Sequence, residues 1–226
     1  MNSINKLDGP SYLFHKKPRK LIFLLHGYGD YADNFIPLAE YLNDKFIEGN
    51  FFAPNAPFIL SQYPLGRQWF NPYPNGIHYN EAGIKEQKIM KQECETSINY
   101  LQEYIENLCS VNSLSYQDCF LIGFSQGAMI AYELGNYINK KLAGCVMLSG
   151  RILLPKNPAN IIFVKTPLLI VHGDNDDIVP SKYYTEACEI AKINKFTFEN
   201  HLLNNEGHTI SSKTLQLVQK FIKKYV

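Results

Sequence analysis

Apolar positions fall in two alternating patterns along the chain. Leu21 to Leu25 is a continuous apolar run ending in His-Gly, the mark of a strand buried on both faces. Over 32–46, Phe35, Leu38, Ala39, Leu42 and Phe46 recur at helical spacing. The same two patterns then repeat. Strands are predicted at 50–53, 119–123, 142–148, 168–171 and 196–203. Helices are predicted at 81–109, with Ile98, Leu101, Ile105 and Leu108 on one face, and at 128–137, 181–192 and 210–225. Ahead of them stands the strand-like SYLFH, followed by a basic turn, KKPRK, whose Pro18 cannot donate to a ladder. Alternating β and α with buried strands predicts a mostly parallel central sheet covered by helices on both faces. No repeat or linker interrupts it, so residues 1–226 are read as one α/β domain with no room for a large cap.

Composition narrows the partners. Of 226 residues 46% are hydrophobic and 19% charged, as in an ordinary globular protein. A net charge of +1 supplies no field toward nucleic acid or an anionic membrane, and KKPRK is read as a charged turn. The start, MNSINKLDGPSYLFHKK, has no apolar h-region, so no secretory signal is expected. No apolar run approaches the roughly 18 residues of a membrane span, leaving at most transient surface contact. Cys94, Cys109, Cys119, Cys145 and Cys188 are odd in number and contain no C-x-x-C pair. Reduced thiols in a cytoplasm fit better than disulfides or zinc, and no metal or cofactor is expected. Monomer and homodimer both remain open.

Residues 54–80 break the alternation with five prolines, the only tryptophan and several other aromatics. So long a segment inside a compact domain is usually functional or disordered, and its aromatic content argues against disorder. An ordered loop forming one wall of a pocket is expected, with an apolar satellite cluster as the plainer alternative.

The strongest local signal is FLIGFSQGAMIAYELG, in which a buried strand leads into Gly123-Phe124-Ser125-Gln126-Gly127 and a helix leads out. This resembles the nucleophile elbow of α/β-hydrolases, in which a serine on a strained turn presents its hydroxyl at a helix N-terminus. Ser149, in MLSG, lacks the flanking glycines and is read as structural.

A serine hydroxyl needs a base, and the base needs a carboxylate to fix its tautomer. In α/β-hydrolase topology the chain order is serine, acid, histidine. His15, His26 and His78 precede Ser125, and His172 precedes every candidate acid, which leaves His201 and His208. His208, in the polar loop NNEGHTI before the last helix, is favoured over His201 within a strand. The acid belongs on the loop HGDNDDIVP, which offers Asp174, Asp176 and Asp177. Pattern alone leans only slightly to Asp176. Ile178 and Val179 are expected to tuck under the turn, with Pro180 and Ser181 opening a helix. A calcium loop is disfavoured because the EF-hand order and its twelfth-position glutamate are absent. The oxyanion donors expected in this topology are the backbone N–H groups of Gln126, after the serine, and Tyr28, in His26-Gly27-Tyr28-Gly29.

Together LLHGYGD, APNAPF, QWF, GFSQG, LSG, HGDNDDIVP and GH resemble, in order and over nearly the whole chain, the phospholipase/carboxylesterase family, which includes acyl-protein thioesterases. The resemblance implies Asp176 as the acid, through the pattern H-G-x-x-D-x-x-V-P. It also implies that Trp69 and Phe70 line the acyl site. The activity implied is hydrolysis of small to medium acyl esters or thioesters, of carboxylesterase or lysophospholipase type, with no cofactor and a small-molecule or lipid ester as substrate. Acyl-protein thioesterase activity is the alternative. Tyr28 stands where the family frequently has leucine, and GRQWF departs from the eukaryotic thioesterase form. A non-catalytic binding protein on this fold is disfavoured by the complete Ser, Asp and His set. A dienelactone-type cysteine hydrolase is disfavoured by serine at the elbow, and a peptidase by the lack of a cap.

Overall fold

The alternating runs meet in one sheet. The computed structural model describes residues 6–153 and 166–226, so the first five residues of the amino-terminal stretch lie outside it. In chain order the elements are β1 (Ser11–Tyr12), β2 (Lys20–Leu25), α1 (Ala32–Phe35), α2 (Leu38–Leu42), β3 (Gly49–Phe52), β4 (Phe58–Leu60) and β5 (Tyr63–Gln68). There follow α3 (Ile84–Asn112), β6 (Cys119–Phe124), α4 (Gln126–Tyr137), β7 (Gly144–Leu148), β8 (Leu168–Gly173), α5 (Lys182–Ile193), β9 (Phe198–Leu203) and α6 (Ser212–Lys224). Seven strands lie in the order β1-β3-β2-β6-β7-β8-β9. All neighbours are parallel except β1, which runs antiparallel to β3 at the edge.

The inner strands β2, β6, β7 and β8 are largely apolar because both faces are covered, whereas the edge strand β9, FENHLL, is half exposed. Leu21, Phe23 and Leu25 of β2 pack into one layer with Ile98 and Leu101 of α3, Met129 of α4 and Ala187 of α5. Ile22 and Leu24 point the other way, toward Phe35 and Leu42 of α1 and α2 and toward Val218 and Phe221 of α6. The period of two thus divides each strand between two cores, and each fully buried Leu, Ile or Phe contributes about 1.5–3 kcal/mol. Among the described residues no helix is long and apolar enough to cross a membrane. All five cysteines are buried and unbridged.

Parallel strands place all their carboxyl ends on one edge, where open α/β sheets hold ligands. That edge carries His26 after β2, Ser125 after β6, Ser149 after β7, the aspartate loop after β8 and the His208 loop after β9.

Two local expectations are corrected and a third is refined. The 32–46 segment is two short helices, because Pro37 has no N–H to continue α1. Phe46 consequently falls beyond α2 and is exposed, with the Lys45 and Lys223 ammonium groups over its ring. SYLFH pairs only through Ser11 and Tyr12. His15 is instead held by the Asn50 side chain, which accepts from His15 N–H and donates to His15 C=O, both at 2.9 Å. Within 54–80 the expected loop is ordered, and it contains the antiparallel hairpin β4–β5 and a short 3₁₀ turn at Pro74–Gly76.

Candidate active site

β6 runs straight into α4 through Ser125, whose backbone sits at φ 53°, ψ −117°. That conformation is costly for a residue with a Cβ, on the order of 1–3 kcal/mol, and persists only where its surroundings enforce it. Here the enforcement is steric. A Cβ on Gly123 would stand 2.3 Å from the carbonyl of Gly127, and one on Gly127 would stand 2.1 Å from the carbonyl of Leu25. Both obstacles are backbone, so the strand, turn and helix close only with glycine at both places. Gly127→Ala is expected to destabilise the fold by about 3 kcal/mol or more. Thermal denaturation followed by circular dichroism should show a midpoint lower by roughly 10 °C.

The three aspartates of HGDNDDIVP separate by environment. Asp176 is buried, Asp174 half-buried and Asp177 exposed. Asp176 Oδ1 accepts the N–H groups of Ile178 at 3.0 Å and Val179 at 2.7 Å, an Asx-type turn. Its Oδ2 lies 2.8 Å from His208 Nδ1. A carboxylate accepts, so Nδ1 carries the proton and Nε2 is left as the basic nitrogen. The imidazole packs against the ring of Phe124, immediately before Ser125, with centroids 4.7 Å apart. The acid and histidine loops are stitched together by Asp174 N–H to Leu203 C=O at 3.0 Å and Asn175 N–H to Glu206 C=O at 2.9 Å. The same Asx turn corrects one expectation: Val179 is buried, but Ile178 is turned outward and forms part of the cleft wall. His201 lies in β9, in register with Val171. Among the described residues no three His, Cys, Asp or Glu side chains converge as metal ligands.

The turn after β2 is held from several sides. Gly29 N–H donates to Arg67 C=O and Arg67 N–H to Asp30 C=O, both at 2.9 Å, so β5 braces the turn. His26 is fully buried; its Nδ1 lies 2.8 Å from Gly27 C=O and its Nε2 accepts from Ala56 N–H at 3.1 Å. Burial holds its pKa down to about 4, so the ring is neutral with its proton on Nδ1. Gln126 is the first residue of α4, so its own N–H has no acceptor within the helix. Its side chain reaches the aromatic loop, accepting from Trp69 N–H and donating to Phe70 C=O, both at 2.8 Å. His26 and the Gln126 side chain are structural parts of this edge that sequence patterns did not reveal. Their long-range partners, Ala56 and Trp69, lie 30 and 57 residues away.

A cleft of about 250 Å³ opens over Ser125. Tyr28, Phe70, Tyr73 and Tyr79 form an aromatic wall, and Met129 and Ile178 add aliphatic surface. Trp69 is not part of the wall, contrary to expectation. It is fully buried beneath it, because its indole N–H finds a carbonyl partner in His26, at 2.9 Å. Two larger cavities, lined by Arg19 and Lys45 and by Glu106 and Lys140, are far from this edge, and a third of about 510 Å³, lined by Arg151, Lys182 and Glu186, adjoins the cleft at Tyr79.

Similarity to known proteins agrees with this arrangement. Residues 14–226 match the phospholipase/carboxylesterase family. Acyl-protein thioesterase 1 of Saccharomyces cerevisiae is 28% identical over 223 residues, covering 91% of this chain and 92% of that protein. The crystal structure of esterase PE8 superposes with a TM-score of 0.86 at 30% identity, covering 98% of this chain and 100% of that one. The Bacillus cereus carboxylesterase shares the fold, with a TM-score of 0.77 at 18% identity over 98% of this chain and 96% of its own. With a match across nearly its whole length, the chain belongs to the phospholipase/carboxylesterase family of α/β-hydrolases.

Proposed function

We propose that the protein is a serine hydrolase of carboxylic esters and thioesters in which Ser125, His208 and Asp176 act as nucleophile, general base and orienting acid. The observation that carries this reading is the 2.8 Å contact between Asp176 Oδ2 and His208 Nδ1, on the sheet edge where Ser125 occupies the strained elbow. That contact leaves His208 Nε2 to take the Ser125 proton as Oγ attacks the acyl carbon. The negative oxygen that forms is received by the N–H groups of Tyr28 and Gln126, each worth roughly 3–4 kcal/mol in such a role. Collapse of the tetrahedral intermediate expels the alcohol or thiol, which takes the proton back from Nε2. Water then attacks the acyl-enzyme and gives its proton to Nε2. The acid leaves and the proton returns to Ser125 Oγ.

The substrate class follows from the cleft. Its wall is mostly aromatic and aliphatic, with His78, Gln126 and Asp177 as polar members and no lysine or arginine, which suits an acyl chain. At about 250 Å³ it lies just below the roughly 300–1,000 Å³ typical of small-molecule sites, which favours small to medium acyl groups. Phe70 is the aromatic of the QWF motif that reaches it, and Trp69 supports the wall from below. Acyl-protein thioesterase activity is the second reading, favoured by the names of relatives such as the yeast protein. The test is kcat/KM for p-nitrophenyl esters of increasing length, with matched thioesters. Each methylene that enters the cleft should raise kcat/KM up to about fourfold, from ~0.8 kcal/mol of burial realised in the transition state. A plateau at medium length is expected. A rise that stops by about four carbons would exclude long-chain lipid and acyl-protein substrates.

A further inference from the structure

A second histidine stands against Asp176. His172, near the end of β8, precedes every candidate acid in the chain, and the order serine, acid, histidine passes over it. Its side chain is nevertheless wholly buried, with Nε2 2.7 Å from Val179 C=O and 3.4 Å from Asp176 Oδ2. A carbonyl only accepts, so Nε2 carries the proton. Val179 in turn gives its N–H to Asp176 Oδ1. Residues 172, 176 and 179 therefore close a ring, in which His172 grips the carbonyl side of Val179 and Val179 grips the carboxylate.

We infer that His172 is a positioning residue for this reaction, holding Asp176 in the orientation that His208 needs. The inference rests on the reading of Asp176 and His208 given above. The role requires a neutral ring, since a cation beside Oδ2 would compete with His208 for the same carboxylate. Burial lowers the pKa of His172, in keeping with neutrality. The groups facing it are Asp176, His208 from the β9–α6 loop, and Tyr184 of α5, whose ring lies 6.3 Å away. The neutral Nε2–H fixes Val179 C=O, Val179 N–H holds the carboxylate, and the charge of Asp176 is left for the imidazole of His208. A displacement of about 1 Å in a catalytic group can cost on the order of 10²-fold, so a residue that fixes Asp176 without touching substrate matters here.

The experiment measures kcat and KM on p-nitrophenyl butyrate for His172→Leu, His172→Gln, Asp176→Asn and the double variant His172→Leu/Asp176→Asn, each checked for native circular dichroism. His172→Leu should lower kcat by roughly 10- to 100-fold with KM little changed. His172→Gln places an amide N–H near the position of Nε2 and should recover activity to within about threefold. In the Asp176→Asn background His172→Leu should cost less than about threefold, because the acid it positions is already lost. Equal losses in both backgrounds, or wild-type kcat in His172→Leu, would overturn the inference. If His172→Leu does not fold, His172→Asn takes its place. Its amide is one bond too short, so it should fall well below His172→Gln, and equal activity of the two overturns the inference. Loss of activity in Ser125→Ala together with wild-type kcat in His172→Leu would sink only the positioning role. Full activity in Ser125→Ala would sink the underlying function instead.

Discussion

Exchange of Ser125 for alanine is expected to lower kcat on p-nitrophenyl butyrate by about 10⁶-fold, the scale at which a serine triad fails when its nucleophile is removed. Activity roughly 10³–10⁴-fold over water can persist, because the two oxyanion amides and the cleft are untouched. Fold loss should not confuse the result. Serine and alanine both carry a Cβ, so the strain at φ 53° is common to both, and the glycines that admit the turn are unchanged. Ser149 provides the control. It also ends a strand at this edge, has a positive φ of 47° and, like Ser125, gives its N–H to a carbonyl of the next strand, but it does not line the cleft. Ser149→Ala should therefore change kcat by less than about threefold, as substitutions away from the reacting groups usually do.

Asp176→Asn should lower kcat by up to about 10⁴-fold with little change in stability. Asparagine retains an oxygen that can accept from Ile178 and Val179, so the Asx turn survives. What changes is the atom facing His208. An amide NH₂ donates to Nδ1 and drives the imidazole proton to Nε2, the nitrogen that must be bare to activate Ser125. Asp174→Asn and Asp177→Asn should each cost less than about tenfold, since neither contacts the imidazole. A dead Asp177→Asn variant beside an active Asp176→Asn one would place the acid one residue later.

Much of this site was legible because its signals are local. The elbow needs glycine two residues either side of the serine for backbone reasons that hold in any chain of this fold, and both glycines meet those obstacles here. Chain order reduced the six histidines to His201 and His208, a loop against a strand setting favoured His208, and family spacing chose among aspartates that pattern alone left nearly equal. The misreadings share a different physics. Trp69 looked like a wall of the acyl site, but its place depends on a carbonyl 43 residues distant, and sequence spacing carries no trace of that bond. Ile178 looked like core until the Asp176 carboxylate was seen to organise the two amides after it. His172 was set aside by an ordering rule that describes the three reacting groups and not the shell behind them. The β4–β5 hairpin was hidden by Pro64 and Gly66, both unusual within a strand and tolerated in this two-stranded pair.

The central claim is that Ser125 becomes acylated. The direct measurement is intact-mass analysis of the protein after a fluorophosphonate, an irreversible mimic of the acyl substrate, followed by peptide mapping. A single adduct on the peptide bearing Ser125 is expected, absent from Ser125→Ala and formed far more slowly in Asp176→Asn. An adduct on Ser149, or undiminished ester hydrolysis by Ser125→Ala, would contradict it.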